Sequence, residues 1–251
     1  MPITRLAGVA LLTAAIGLAA GCRCGTCKAG SDQGAQTQTQ TQASQARPYA
    51  MTFIKTGPLT SPTKEQQAEA MQGHFANMQR LAEDGTLLIA GPLAEPKSDP
   101  NHRGIFVFDA RTIAEGAAMA ATDPAGQMGV FVMDNYLLTT DAPLTELTRL
   151  EQEYEQRRLA DPEIPDEWSG RMFVLASAPY AKALHERVRT ADGVLVAGRL
   201  TNHDGVDRLL LWLDAPNAQL ARPMLPEADW TLHGWYGSPT VAELPGPVTP
   251  G

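Results

Sequence analysis

His74 lies in the stretch MQGHFANMQRLAEDGTLLIAGPL, three residues after Met71 and four before Met78. An imidazole can act as general base or acid near neutral pH, and a neighbouring carboxylate fixes its tautomer and raises its basicity. The carboxylate candidate is Asp123, in Asp123-Pro124. Each residue also has a plainer explanation. His74 can be a core histidine with a satisfied hydrogen bond, and Asp-Pro is common turn chemistry. Asp123 is placed at the C-terminal end of a helix, where the dipole disfavours negative charge. Spacing alone does not bring the two together. Asn101-His102-Arg103 reads as a solvated hairpin loop from which Arg103 can reach an anionic ligand. His102, His185, His203 and His233 have no ligand-like spacing, and HExxH, GxSxG and a glycine-rich phosphate loop are missing from the sequence. No metal and no organic cofactor is expected.

The elements that must hold these residues follow from the apolar pattern. Met71, Phe75, Met78 and Leu81 recur on one helical face, which places His74 within that apolar stripe. Ser61 or Thr63 caps this helix, and Asp84-Gly85 ends it. Strands are predicted at Tyr49 to Lys55, Thr86 to Ala90, Gly104 to Phe108 and Gly129 to Leu138, with an Ala-rich helix over Thr112 to Thr122. The order is β-α-β-β-α-β, a ferredoxin-like unit.

The pattern returns downstream. Ala82-Glu83-Asp84-Gly85 and Ala90-Gly91-Pro92-Leu93 are echoed by Thr190-Ala191-Asp192-Gly193 and Ala197-Gly198-Arg199-Leu200. Ile105 to Ala110 returns as Leu210 to Ala215, and Met51 to Ile54 as Met172 to Leu175, in the same order. This argues for a tandem duplication. The second copy departs from the first: its first helix is shorter, Ala181 or Lys182 stands where His74 would recur, and the Asp-Pro is lost. Trp212 and Trp235 read as core, and Trp230 as core or pocket wall. Between the copies, Asp141 to Leu159 reads as a helix capped by Asp141, with Leu144, Leu147, Leu150 and Tyr154 on one face and a Glu153–Arg157 pair. It either packs across both copies or acts as a free spacer.

The 251-residue chain carries 20 Lys and Arg against 28 Asp and Glu, a net charge of −8 without a basic run. That balance argues against nucleic acid as a partner. Leu6 to Ala20 is an apolar run after Arg5, too short for a comfortable membrane span and fitting a secretory signal. The run ends Leu18-Ala19-Ala20-Gly21-Cys22, which resembles a bacterial lipobox and makes Cys22 the expected lipidation site; an ordinary cleaved signal is the alternative. Cys24-Gly25-Thr26-Cys27 is a lone CxxC, read as a local disulfide or as functionless rather than a metal site. The polar stretch Lys28 to Arg47 is too poor in apolar residues to fold and reads as a tether.

The sequence of strand, helix with His74, strand ending Ala90-Gly91-Pro92, strand, helix ending Asp123-Pro124 and strand resembles the YCII-related (YciI-like) family over about Tyr49 to Asp141. The resemblance implies a ferredoxin-like α+β domain that pairs with a second copy into a dimeric α/β barrel. It also implies an active site containing a His and an Asp; a dehydrochlorinase is reported among members of the family. The expected organisation is a signal peptide at 1–21, a tether at 22–47, a YCII-like domain at 48–141, a connector at 142–168, a degenerate YCII-like domain at 169–240 and a tail at 241–251. The two ferredoxin-like domains are expected to form an intramolecular pseudo-dimer, so the chain is expected to be a monomer held to the cell envelope through Cys22. His74 and Asp123 are the candidate catalytic pair, and Gly91, Pro92 and Arg103 the candidate ligand contacts. The expected activity is elimination, isomerisation or hydrolysis of a small organic molecule; a ligand-binding or purely structural envelope protein is the alternative.

Overall fold

A computed structural model describes residues 46–161 and 170–245. The signal segment, Cys22, the CxxC, the tether up to residue 45, Trp168 and the last six residues of the expected tail lie outside the described residues.

The fold is α+β. Eight strands close into one barrel in the order β1-β3-β2-β8-β5-β7-β6-β4, every neighbouring pair antiparallel. The strands are β1 (Arg47–Thr56), β2 (Leu87–Ala94), β3 (His102–Phe108), β4 (Phe131–Thr140), β5 (Arg171–Pro179), β6 (Val194–Thr201), β7 (Asp207–Leu213) and β8 (Thr231–Gly237). The helices are α1 (Lys64–Glu83), α2 (Ile113–Ala120), α3 (Pro124–Gln127), α4 (Glu146–Ala160), α5 (Lys182–Val188) and α6 (Ala218–Ala221). The first four strands form one run of the barrel, β4-β1-β3-β2, and the last four form another, β8-β5-β7-β6. The two runs meet at β2–β8 and β4–β6.

Alternation along the strands sorts the apolar side chains into an inner and an outer set. Tyr49, Met51, Phe53, Ile89, Ile105, Val107, Leu138, Phe173, Leu175, Val196, Leu210, Trp212 and Trp235 belong to one buried cluster drawing on every strand of the barrel. The intervening residues face the helices. Ala50, Ile54, Phe106 and Phe108 pack with Leu81 of α1 and Ala120 of α2. Val174, Ala176, Leu209, Leu211 and Leu213 pack with Val188 of α5 and Ala221 of α6.

Several expectations shift. Thr63 caps α1 through a capping box with Gln66. The buried side of α1 is Ala70, His74, Asn77 and Leu81; Phe75 is 61% exposed, and Met71 and Met78 are only partly buried, Met78 packing against the cluster beneath α1. Strand β2 runs on through Gly91-Pro92 instead of ending before them, and His102 begins β3 instead of lying in a solvated loop. Helix α4 starts at Glu146, and Asp141 pairs with Arg189 instead of capping it. Leu144, Leu147 and Leu150 join the inner cluster, so this helix is packed against both halves and is no free spacer. The expected Glu153–Arg157 pair is replaced by Arg149–Glu153 and Arg157–Glu243. Residues assigned to a tail are folded in part: Pro239–Glu243 is a 3-10 turn, and Val241 and Leu244 are buried in the inner cluster. Trp230 is core, its indole N–H donating to the Pro226 carbonyl at 2.8 Å.

Candidate functional site

The helix-covered face of the first strand run carries an unusual set of buried polar side chains. His74 is 7% exposed, Asn77 8% and Asp123 0%. His74 and Asn77 share the inward side of α1 because three residues bring the helix almost back to the same face. Asp123 reaches them from below through a turn between α2 and α3. It does not sit at the end of a helix with the dipole against it. It is the N-cap of α3, and its Oδ1 accepts the Ala125 N–H at 2.9 Å. The position is therefore a favourable one for a short acidic side chain.

Two further features set the approach of α3 to α1. Gly73 faces Pro124, and a Cβ on Gly73 would stand 2.7 Å from the Pro124 Cβ. The missing side chain lets α3 close on α1. One turn later, the Thr122 hydroxyl lies 2.7 Å from the Met119 carbonyl and 3.1 Å from Asn77 Oδ1, tying the turn to α1. Neither Gly73 nor Asn77 emerged from sequence reasoning. The glycine inside an otherwise regular helix was the available signal.

The result is a contact of 2.5 Å between His74 Nδ1 and Asp123 Oδ2. A fully buried carboxylate is costly unless partnered; here one oxygen takes the imidazole and the other the capping amide. With Nδ1–H donating to Asp123, the imidazole lone pair lies on Nε2. The ring lies between Phe106, at 5.7 Å and 26° between planes, and the edge-on ring of Phe131 at 5.3 Å. Nε2 has no hydrogen-bond partner among the described residues, and His74 lines a cavity of about 200 Å³.

That cavity also takes in Gly91, Pro92 and Arg103, so the structure brings together all the candidate contacts except Cys22, which is outside the described residues. Its remaining walls include Ile54, Met71, Met78, Phe106 and Phe131. A larger cavity of about 670 Å³ shares Phe75 and Met78 with it and is lined by Leu87 to Ala90, Trp235 and Val241. Apart from His74 and Arg103, the side chains lining the smaller cavity are apolar.

The other histidines divide by location. His102 and His233 meet at 5.5 Å between ring centroids beside Phe53. Burial pushes His233 down to about 4 and lowers His102. His185, on α5, is lowered by burial as well. No group of three or more His, Cys, Asp or Glu side chains among the described residues is placed to hold a metal.

Residues 48–136, which contain this site, match the YCII-related domain family. This part of the chain is a YCII-related domain. No curated protein matches the chain. Among solved structures, a protein from Fusobacterium nucleatum subsp. nucleatum described as "Putative monooxygenase" is similar at 8% identity and a TM-score of 0.40, covering 76% of this chain and 93% of that one.

Proposed function

We propose that the first half of the barrel is a general acid–base site acting on a small organic molecule, with His74 Nε2 as the proton-transferring atom and Asp123 as the positioning residue. The observation that carries this reading is the 2.5 Å His74–Asp123 contact at the wall of a cavity, with Nε2 left without a partner. The carboxylate stabilises the imidazolium that forms when Nε2 takes a proton, and the apolar walls keep water from competing. Elimination and isomerisation both begin with such a transfer. Hydrolysis needs room for a water as well.

The same strand order in both halves supports a tandem pair of ferredoxin-like βαββαβ units forming an intramolecular pseudo-dimer, with the second unit as a degenerate partner. The sequence before Arg47 supports a lipid anchor at Cys22 and a place in the cell envelope. A monomer in size-exclusion chromatography with light scattering is the expected outcome; a stable dimer of the mature chain would count against the internal pairing.

The acid–base reading is tested by hydrogen–deuterium exchange at carbon in a panel of small carbonyl compounds in D2O, followed by proton NMR. His74→Asn keeps a donor near Asp123 and removes Nε2. Exchange by the native chain should fall by about 100-fold or more in this variant, the range of acid–base catalysis. Equal exchange by both would remove the catalytic role. The apolar walls favour a second reading, a ligand-binding module. It predicts binding without any exchange that depends on His74.

A further inference from the structure

The acid–base reading leaves the substrate as any small organic molecule, and Arg103 narrows it. Arg103 lies on β3 at the cavity that His74 lines, and it is exposed. Its Nε donates to Thr56 Oγ1 at 2.8 Å, which fixes the plane of the guanidinium. Its two terminal nitrogens make no hydrogen bond or ion pair among the described residues. Of the other strand-borne arginines, Arg47, Arg171 and Arg199 each pair with an aspartate, whereas Arg208 on β7 rests, like Arg103, on a hydroxyl, that of Ser177. Of these two, Arg103 is the one that lines the cavity at His74.

We propose that the cavity takes a small carboxylate, docked on Arg103 and presenting its proton-bearing carbon to His74 Nε2; this rests on the acid–base reading. The other walls decide the sign of the charge. Ile54, Met71, Met78, Phe106 and Phe131 offer nothing to a charged group, and the Asp123 carboxylate is fully buried behind His74. A cationic ligand would meet the guanidinium and find no exposed carboxylate in the lining. A carboxylate finds a planar fork that matches it with two parallel N–H···O bonds. Gly91 and Gly104 contribute only backbone to the lining, so they add no bulk between the charged end and the apolar walls. The size is also restrictive. About 200 Å³ is less than the roughly 300 Å³ at which drug-sized pockets begin. The class is therefore a short monocarboxylate whose proton-bearing carbon is activated by a neighbouring carbonyl or leaving group, and 3-methylbutanoate is its unreactive mimic.

The test is calorimetric titration of the mature chain with 3-methylbutanoate and with its uncharged twin, 3-methylbutanamide. The acid should bind at least about 10-fold more tightly than the amide. Arg103→Gln should weaken the acid by about 10-fold or more and leave the amide unchanged, and Arg103→Lys should recover part of the loss, since a point charge replaces the fork. Arg103 is exposed, so the melting temperature of the Gln variant should stay close to that of the native chain. Equal affinity for acid and amide, or undiminished acid binding by Arg103→Gln, overturns the proposal. His74→Asn separates the two ideas. Acid binding that survives in this variant supports the anchor, whether or not proton exchange is lost. Lost exchange in His74→Asn with acid binding indifferent to Arg103 would keep the base and discard the anchor.

Discussion

The two halves of the barrel repeat a strand order and diverge in what covers their outer faces. In the first half, the 20-residue α1 lays His74 and Asn77 against the sheet, with Asp123 fully buried beside them and a cavity alongside. In the second, the seven-residue α5 begins at Lys182, with Ala181 at its N-cap, and the face beneath is closed by Val174, Ala176, Leu209, Leu211 and Leu213. The inner cluster is shared and apolar in both. The difference teaches that one shared core suffices to hold the barrel, which frees one outer face to carry polar groups that cost stability.

The sharpest way to break this comparison is to remove the partner of the buried carboxylate. His74→Ala should cost about 3–5 kcal/mol in urea denaturation, because the fully buried Asp123 carboxyl loses the imidazole and keeps only the Ala125 amide. His185→Ala, on the corresponding helix of the other half, should change stability by about 1 kcal/mol or less. Adding Asp123→Ala to His74→Ala should cost less than the two single changes summed. Similar costs for His74 and His185 would mean that the first half carries no special polar pair.

The next effect isolates the approach of α3. An alanine inside a helix is normally favoured over glycine by about 1 kcal/mol. Gly73→Ala should instead destabilise, by about 1–2 kcal/mol net, because its Cβ meets Pro124 at 2.7 Å and overpacking outweighs the propensity gain. The shift should be visible in the NMR signals of the His74 ring as the contact with Asp123 lengthens. A stabilised variant with unchanged His74 signals would show that the glycine is incidental.

Where the halves meet, acid should weaken them together. His102 comes from the first half and His233 from the second, and their neighbourhood holds Lys55, Lys97, Asp99, Asp134 and Arg208. Burial, and for His233 the nearby His102 and Arg208, hold it at about 4 in the fold. An unfolded chain protonates it near 6.5, so stability is full above that pH and falls as pH drops toward 4. The melting temperature should decline by on the order of 5 °C over this window, and His233→Phe should flatten the decline. An unchanged slope in that variant would place the acid sensitivity elsewhere.

Much of this was legible in the strands. Loose apolar alternation pointed to β1, and the echoes of the first copy at Met172 to Leu175 and Leu210 to Ala215 pointed to β5 and β7, whose two faces meet the inner cluster and a helix. The pairing of His74 with Asp123 was implied by the family resemblance and not by spacing, and the two stand 2.5 Å apart. The environment was harder to read. Met71, Phe75 and Met78 have the spacing of a core stripe, and nothing local says that they line cavities instead. Asp123 looked like a helix terminator because the four-residue α3 is too short to leave a periodic signal. Arg103 and His102 are adjacent in a stretch that reads as loop, yet one faces the cavity and the other stacks on Phe53. Adjacent residues of a strand point to opposite faces, and the split shows only once this stretch is seen to begin β3.

The smallest expected effect concerns the connector. The Arg157 guanidinium donates to both oxygens of Glu243 at 2.8 Å, joining α4 to the turn after β8. Both residues are on the surface, so solvent screens the pair and two long side chains lose freedom to form it. Arg157→Ala should cost about 0.2–1 kcal/mol, less at high salt. The connector is held instead by Leu144, Leu147 and Leu150, which enter the inner cluster with Val241 and Leu244. A cost of several kcal/mol for Arg157→Ala, undiminished by salt, would mean that the ion pair and not the apolar contact fastens the helix. The shared inner core would then be smaller than its burial suggests.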